Sequence, residues 1–347
     1  MEFKILKQNF TMNIAIYGAG SLGTIIGAYL TKADLNVDLV NRNTSHIEGL
    51  RKKGAKIIGT VEMNVPVNAI YPEEMTRKYD LIFLLTKQLE NKATVKFLSA
   101  FLTKDGVICT AQNGMPEALV SEIIGEDKTF GCAVSWGATM IGNGVCELTS
   151  SPDSLTFSIG TPGRDIKKLH EIKNVLEKMG TVTIESNFIG ARWSKLLINS
   201  SFSGVSAVLG CTFGEAANNK KSRLCIQRII KECIDVADKA NINIEPIQGK
   251  NIRKLMNYNN KLKEYITFLL IPLVIKKHAS LKPSMLQDLE KGKPCEIQSI
   301  NGIVSEYGKK FDVPTPYNDK VIEIIHDIEN GEYKPEPDNV YLFEECK

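Results

Sequence analysis

The chain has little that would commit it to a membrane, a nucleic acid, a metal or an oxidising compartment. Its longest notable apolar run, ITFLLIPLVI at 266–275, is about half the ~20 residues that a bilayer span needs, and Pro272 interrupts it. An excess of one charge is missing as well. Basic residues number 43 and acidic ones 40, for a net charge of +3 with no block of like charges, so neither nucleic acid nor a membrane surface finds an electrostatic footprint. Eight cysteines (109, 132, 146, 211, 225, 233, 295 and 346) contain no CxxC pair and no cysteine–histidine spacing that suits zinc. They read as buried or reduced thiols of a cytoplasmic protein. The four histidines, His46, His170, His278 and His326, form no constellation. The opening stretch MEFKILKQNFTMNIAIYG lacks the sustained apolar segment and small-residue cleavage site of a secretory signal. Met12 reads as a candidate start, with residues 1–11 an extension.

A length of 347 residues, 43% of them hydrophobic, exceeds what one core usually fills, so two domains are expected. From Met12 onward, short β-branched runs (NIAIY, NVDLV, DLIFLL, GVICTA) alternate with amphipathic segments, among them one from Gln88 to Leu102. This alternation predicts an α/β domain with a parallel sheet covered on both faces. The strand-like segments FGCAVSWGATMIG, CELTS, LTFSIG and TVTIES, with a helix over 165–179 among them, predict a more mixed finish to that sheet. After Ser186 the strand-like runs stop. Helical periodicity covers 188–209, 220–240, 247–263 and 296–310, so the second domain is expected to be all-helical. The expected divisions are 12–186, 187–330, and a polar, proline-interrupted tail over 331–347 that reads as loosely held.

Gly18, Gly20 and Gly23 form GAGSLG between the strand NIAIY and a helical pattern. Glycines in this context allow a tight turn, a close approach of backbone to a pyrophosphate, and close packing of helix on strand. The anion would sit on the N–H groups of a helix start, which makes Gly18, Ala19, Gly20, Ser21, Leu22 and Gly23 candidate cofactor contacts. Eighteen residues beyond Gly23, where a ribose-binding acid would stand, the sequence has Asn41 and then Arg42. A guanidinium without a carboxylate suits a 2′-phosphate, so NADPH is expected over NADH, the alternative being that Arg42 only solvates a loop. Lys87 follows the run DLIFLLT at a strand's carboxyl edge, where it is either a ribose or phosphate contact or a surface lysine opening the next helix. Asn113, in AQNGMPE, reads first as ordinary Asn-Gly turn chemistry, and only its position at a corresponding edge raises a binding role.

In the second domain, ARWSKLLINS at 191–200 places Lys195 and Asn199 four positions apart, on one helical face. Either the lysine snorkels from a core helix or the two groups line a site. Farther on, PSMLQDLEKGKPCEIQSINGIV at 283–304 is broken by Gly292 and Pro294, which puts Ser284 near the start of one helix and Glu296 in the first turn of the next. A first-turn carboxylate is favoured by the helix dipole, whether it only caps or also binds.

GAGSLG, the lysine of LLTK, the asparagine of QNG, the K-x-x-x-N of WSKLLIN and SMLQDLEKGKPCEI with its following NG, in this order, resemble the ketopantoate reductases (2-dehydropantoate 2-reductases) from Met12 to about Asn330. The resemblance implies a Rossmann domain, a helical domain and an active site in the cleft between them. It implies Lys195 as general acid, Asn199 as a substrate-binding partner on the same helix, and Ser284 as the holder of the substrate carboxylate. Glu296 would contact the substrate hydroxyl, and Asn113 would lie near the nicotinamide and the reacting carbonyl. Gly18, Gly20, Gly23, Arg42 and Lys87 would contact NADPH, with Asn113 and Glu296 also on the cofactor side. The implied substrate is a small 2-oxo acid. Cys295 stands where a threonine is usual, Leu281, Lys282 and Pro283 replace small hydroxylic residues, and the segment before Ser284 is long. A paralogue reducing another branched 2-oxo acid and a non-catalytic NADP(H)-binding regulator are the alternatives. A homodimer is the candidate assembly, since helix faces of the second domain are open either to a second copy or to the long segment.

Overall fold

The computed structural model describes residues 12–247 and 249–346, so the expected extension before Met12 lies outside the described residues. The chain divides into two compact units. One holds the chain up to Gln112 together with Pro116–Ser186; the other holds Asn113–Met115 and the chain from Asn187 onward.

The first unit is α/β. Its strands are β1 (Asn13–Tyr17), β2 (Asn36–Val40), β3 (Ala55–Gly59), β4 (Met63–Val65), β5 (Asn68–Ile70) and β6 (Tyr79–Leu84), followed by β7 (Leu102–Thr110) and β8 (Thr129–Val134). β9 (Ala138–Gly142), β10 (Val145–Leu148), β11 (Thr156–Gly160) and β12 (Thr181–Ile184) complete the set. Its helices are α1 (Ser21–Lys32), α2 (Thr44–Lys53), α3 (Asn91–Ser99), α4 (Glu117–Ile124) and α5 (Ile166–Leu176). The main sheet runs β12-β11-β8-β7-β6-β1-β2-β5 and is parallel except where β11 meets β8. Alternation along β1 explains its uninterrupted apolar sequence. Ile14 and Ile16 enter the core that contains Ile25 and Ile26 of α1, whereas Ala15 and Tyr17 enter the core that contains Val95 of α3 and Val120 of α4. Because β1 lies between β2 and β6, the strand order reverses there, and the carboxyl ends of β1 and β6 flank the crevice where open α/β sheets take ligands.

Two features of this unit differ from the sequence reading. Strands β3, β4 and β5 were not expected; with β9 and β10 four of these five build a second sheet, β4-β3-β10-β9. The three-residue strands β4 and β5 are too short to display a period. The helix expected over 88–102 is a 3-10 turn at Gln88–Glu90 and then α3, ending at Ser99 because β7 has already begun at Leu102.

The second unit is all-helical around one core. It comprises α6 (Phe188–Ile198), α7 (Gly204–Leu209), α8 (Phe213–Asn218), α9 (Lys220–Lys239), α10 (Ile252–Met256) and α11 (Lys261–Ile275), then α12 (Ser284–Leu289), α13 (Ile297–Lys310) and α14 (Pro316–Glu329). The helix expected over 247–263 is instead α10 and α11, separated at Asn257–Asn260, because the Asn260 side chain accepts from Lys263 N and caps a new helix. That helix carries the apolar run through Pro272, and among the described residues no helix is long and apolar enough to cross a membrane. The tail is not loose. Pro337–Glu345 forms a 3-10 helix whose Val340 and Phe343 enter the core, while Asn339 Nδ2 donates to Val208 O at 2.9 Å. Apolar side chains three apart outweigh the polar composition around them.

Candidate active site

In the first unit the carboxyl ends of β1, β2 and β6 surround a cavity of about 420 Å³, lined by Gly18, Gly20, Asn41, Arg42, Thr86, Lys87 and Glu90 among others. The three glycines behave differently there. Gly18 has φ +96°, and a Cβ on it would stand 2.5 Å from Thr86 N. A Cβ on Gly23 would stand 2.7 Å from Gly18 O and 3.0 Å from Ile16 Cγ2, so this glycine lets α1 close on β1. A Cβ on Gly20 would meet only Gly18 O, at 3.9 Å, so the protein itself does not require glycine at that point. Gly20 is also the N-cap of α1 and supplies no side-chain cap, which directs the first N–H groups of the helix, on Ser21, Leu22 and Gly23, to a ligand or to water. Thr86 Oγ1 is buried without a hydrogen-bond partner among the described residues and belongs to a residue of the same lining. An open glycine, an uncapped helix start and an orphan hydroxyl suit a dinucleotide's phosphates. Of the expected cofactor contacts in this unit, Gly18, Gly20, Arg42 and Lys87 line the cavity directly.

A set of long-range hydrogen bonds holds the glycine loop and had no signal in the sequence. Asn41 Nδ2 donates to Ala19 O at 2.8 Å, so the residue standing in place of the ribose-binding acid fixes the loop. Thr24 Oγ1 donates to the same carbonyl at 3.2 Å and lies 3.0 Å from His46 Nε2. Gly144 N donates to His46 Nδ1 at 3.2 Å, which puts the ring proton on Nε2 and makes His46 a donor to Thr24. His46 is fully buried, and burial pushes its pKa below the usual value. His46 shows no role in the sequence because its partners lie 22 and 98 positions away.

The polar set of the second unit is built around an irregularity. Trp193, Leu196 and Leu197 of α6 are core residues, while Lys195 is half-buried. Asn187 caps the helix by accepting from Gly190 N. Past Ile198 the helix widens into a π segment, Asn199–Ser203, whose first residue is Asn199. The run NSSFS explains the widening. Ser201 Oγ donates to Leu197 O at 2.6 Å and Ser200 Oγ to the same carbonyl at 3.3 Å, in competition with backbone N–H groups. Asn301 Nδ2 of α13 donates to Ser200 O at 3.1 Å and to Asn318 Oδ1 at 3.0 Å. Asn318 in turn donates to the buried Glu232 carboxylate, which also accepts from Tyr317 N and Asn318 N. Burial pushes the Glu232 carboxyl up to about 7 against those donors. π segments inside α-helices concentrate at functional sites.

α6, α12 and α13 all pack against the π segment. α6 and α12 carry Lys195 and Ser284, and Glu296 immediately precedes α13, so the expected substrate residues of this unit belong to elements that meet at the π segment opened by Asn199. Ser284 is exposed and is the first residue of α12. Glu296 is the N-cap of α13, one position ahead of the first turn in which the sequence reading put it, and its carbonyl accepts from Ser299 N at 3.0 Å. Asn113 belongs to this unit, in a bend completed by Gly114 at φ +72°, and its Nδ2 donates to Glu296 Oε2 at 3.3 Å. The turn and binding readings of Asn113 are therefore compatible. With Asn113 and Glu296 in the second unit, the first-unit cavity is defined by its own residues.

The chain matches the family described as ketopantoate reductase PanE/ApbA over residues 14–161 and its C-terminal counterpart over 187–329. The 2-dehydropantoate 2-reductase of Aquifex aeolicus is 28% identical over 320 residues, which cover 90% of this chain and 96% of that protein. Among solved structures, a D-mandelate dehydrogenase with NADH and anilino(oxo)acetate superimposes with a TM-score of 0.79 at 21% identity, covering 92% of this chain and 99% of its own. A dimeric ketopantoate reductase from Staphylococcus aureus does so with a TM-score of 0.71 at 19% identity, covering 93% and 100%.

Proposed function

This chain belongs to the ketopantoate reductase family, and from that premise we propose that it is an oxidoreductase reducing 2-dehydropantoate to pantoate with NADPH. The observation that carries the reading is the convergence of the elements bearing Lys195, Asn199, Ser284 and Glu296 on one π segment of the second unit. When bound, the nicotinamide cofactor supplies a hydride to the carbonyl carbon of the 2-oxo acid. The carbonyl oxygen gains negative charge as this happens. Lys195, as an ammonium, stabilises that oxygen and donates the proton that makes it a hydroxyl. Ser284 holds the substrate carboxylate, and Asn199 adds a hydrogen bond from the face it shares with Lys195. Glu296 accepts from the substrate hydroxyl, its carboxylate oriented by Asn113. In the first unit the loop from Gly18 to Gly23 takes the pyrophosphate, Arg42 the 2′-phosphate and Lys87 the ribose or phosphate oxygens.

The test is NADPH consumption with ketopantoate and a panel of other 2-oxo acids, with Lys195→Ala run in parallel. Ketopantoate should be reduced far faster than the rest. The variant should lose on the order of 10²- to 10⁴-fold in turnover while keeping its fold and its cofactor affinity. Cofactor binding without turnover on any oxo acid would leave a binding protein in place of the enzyme. A second reading, reduction of a different 2-oxo acid, draws support from the likeness to D-mandelate dehydrogenase and from Leu281, Lys282, Pro283 and Cys295 around Ser284 and Glu296. The panel separates the two by rank order.

The same proposal places the protein in the cytoplasm as a homodimer. Eight free cysteines, most of them buried, fit a reducing compartment. The dimeric relative and an apolar stripe on α11 favour self-association.

A further inference from the structure

The cation assigned to the 2′-phosphate already has an anionic neighbour. Arg42 Nη1 lies 3.2 Å from Glu90 Oε2, with both side chains 69% exposed. Arg42 stands two residues past the end of β2, and Glu90 ends the 3-10 turn Gln88–Glu90 and leads into α3, so regular elements rather than a long loop set their approach. Both line the cavity whose glycines suit a pyrophosphate. The charged side chains of that lining are Arg42, Lys87 and Glu90, and Glu90 thus lowers the lining charge from +2 to +1. A 2′-phosphate brought to Arg42 must displace this carboxylate and then remain beside it as a like charge. An unphosphorylated ribose meets the opposite situation, because its hydroxyl donates to a carboxylate as readily as water does.

We propose that Glu90 sets the ribose preference of the cofactor site: it competes with the 2′-phosphate for Arg42 and accepts from an unphosphorylated ribose, so that the protein uses NADH alongside NADPH. The proposal rests on the reading of Arg42 as the phosphate partner, and the experiment separates the two. Affinities of NADP⁺ and NAD⁺ are measured by calorimetry on the intact protein, Glu90→Gln and Arg42→Ala, with KM values for NADPH and NADH beside them. An exposed pair of this kind holds Arg42 only modestly, so Glu90→Gln should bind NADP⁺ roughly fivefold more tightly and NAD⁺ no more tightly than before. The gain should shrink in high salt. Arg42→Ala should weaken NADP⁺ on the order of tenfold and leave NAD⁺ unchanged. An unchanged NADP⁺-to-NAD⁺ ratio in Glu90→Gln, with the Arg42→Ala loss intact, overturns the role of Glu90 alone. An unchanged ratio in Arg42→Ala removes the phosphate reading and the proposal together. Both positions are exposed, and unaltered melting temperatures would exclude misfolding as the cause of either result.

Discussion

At the scale of single residues, the glycine loop separates conformation from ligand contact. Gly18→Ala forces a side chain onto a backbone at φ +96° and drives its Cβ to 2.5 Å from Thr86 N, so it should destabilise the first unit by about 1–3 kcal/mol. Gly20→Ala meets no such obstacle, with its nearest contact at 3.9 Å. It should leave the melting curve nearly unchanged and weaken dinucleotide binding, because the added methyl occupies the approach to the uncapped helix start. Thermal unfolding and calorimetry on the two variants give opposite rankings under this reading; equal loss of stability in both would contradict it. His46 sits behind the same loop, and its titration sets a direction with pH. Its folded-state pKa is depressed, so between the unfolded value near 6.5 and the lower folded value the unfolded chain binds the extra proton. Stability from this site is present above pH ~6.5 and lost as pH falls through that window. Denaturant titrations from pH 8 to 5.5 should show wild-type stability falling more steeply than that of His46→Gln, whose amide can still accept from Gly144 N and donate to Thr24. Parallel slopes would exclude His46 as the source.

At the scale of elements, the π segment ties the stability of the second unit to its polar set. Asn301 is fully buried and donates to two acceptors, Ser200 O and Asn318 Oδ1. Asn301→Leu leaves both without that donor and should cost about 1–3 kcal/mol. If the segment positions Asn199, the variant should also raise KM for the oxo acid while dinucleotide affinity stays fixed; equal effects on both ligands would mean a general loss of structure. The sequence shows such elements unevenly. NIAIY, NVDLV and DLIFLL announce a covered parallel sheet because both faces are buried, and GAGSLG is readable because its turn and helix start are local. Lys195 and Asn199 show as an i, i+4 pair for the same reason. The rest depends on contacts distant in sequence. Asn113 meets Glu296 across 183 positions, Asn41 clamps Ala19, and Asn301 reaches Ser200 across 101 positions. Helical periodicity also carries no mark of a π turn, since NSSFS looks like ordinary helix until the serine hydroxyls are seen to bond back to Leu197.

At the scale of the whole molecule, α11 presents more apolar surface than one chain covers. Its inner side is anchored on α9: Thr267, Ile271 and Ile275 are buried, Gln227 Nε2 donates to Thr267 Oγ1 at 2.6 Å, and Arg228 pairs with Glu264 at 2.8 Å. On the other side, Leu262, Tyr265, Ile266, Leu269 and Leu273 are 45–70% exposed and follow one another at steps of three, one, three and four residues, which makes a continuous stripe. A contiguous exposed patch of this kind marks an interaction surface, and a straight stripe on a single helix can pair with its own copy about a two-fold axis. A second copy of this chain is therefore the expected occupant. Sedimentation at micromolar concentration should give a dimer for the intact protein. Leu262→Asp combined with Leu269→Asp should give a folded monomer, because both side chains are solvent-facing within one protomer and neither substitution opens its core. A wild-type monomer would dismiss the interface, and a variant that remains dimeric would move it to another face.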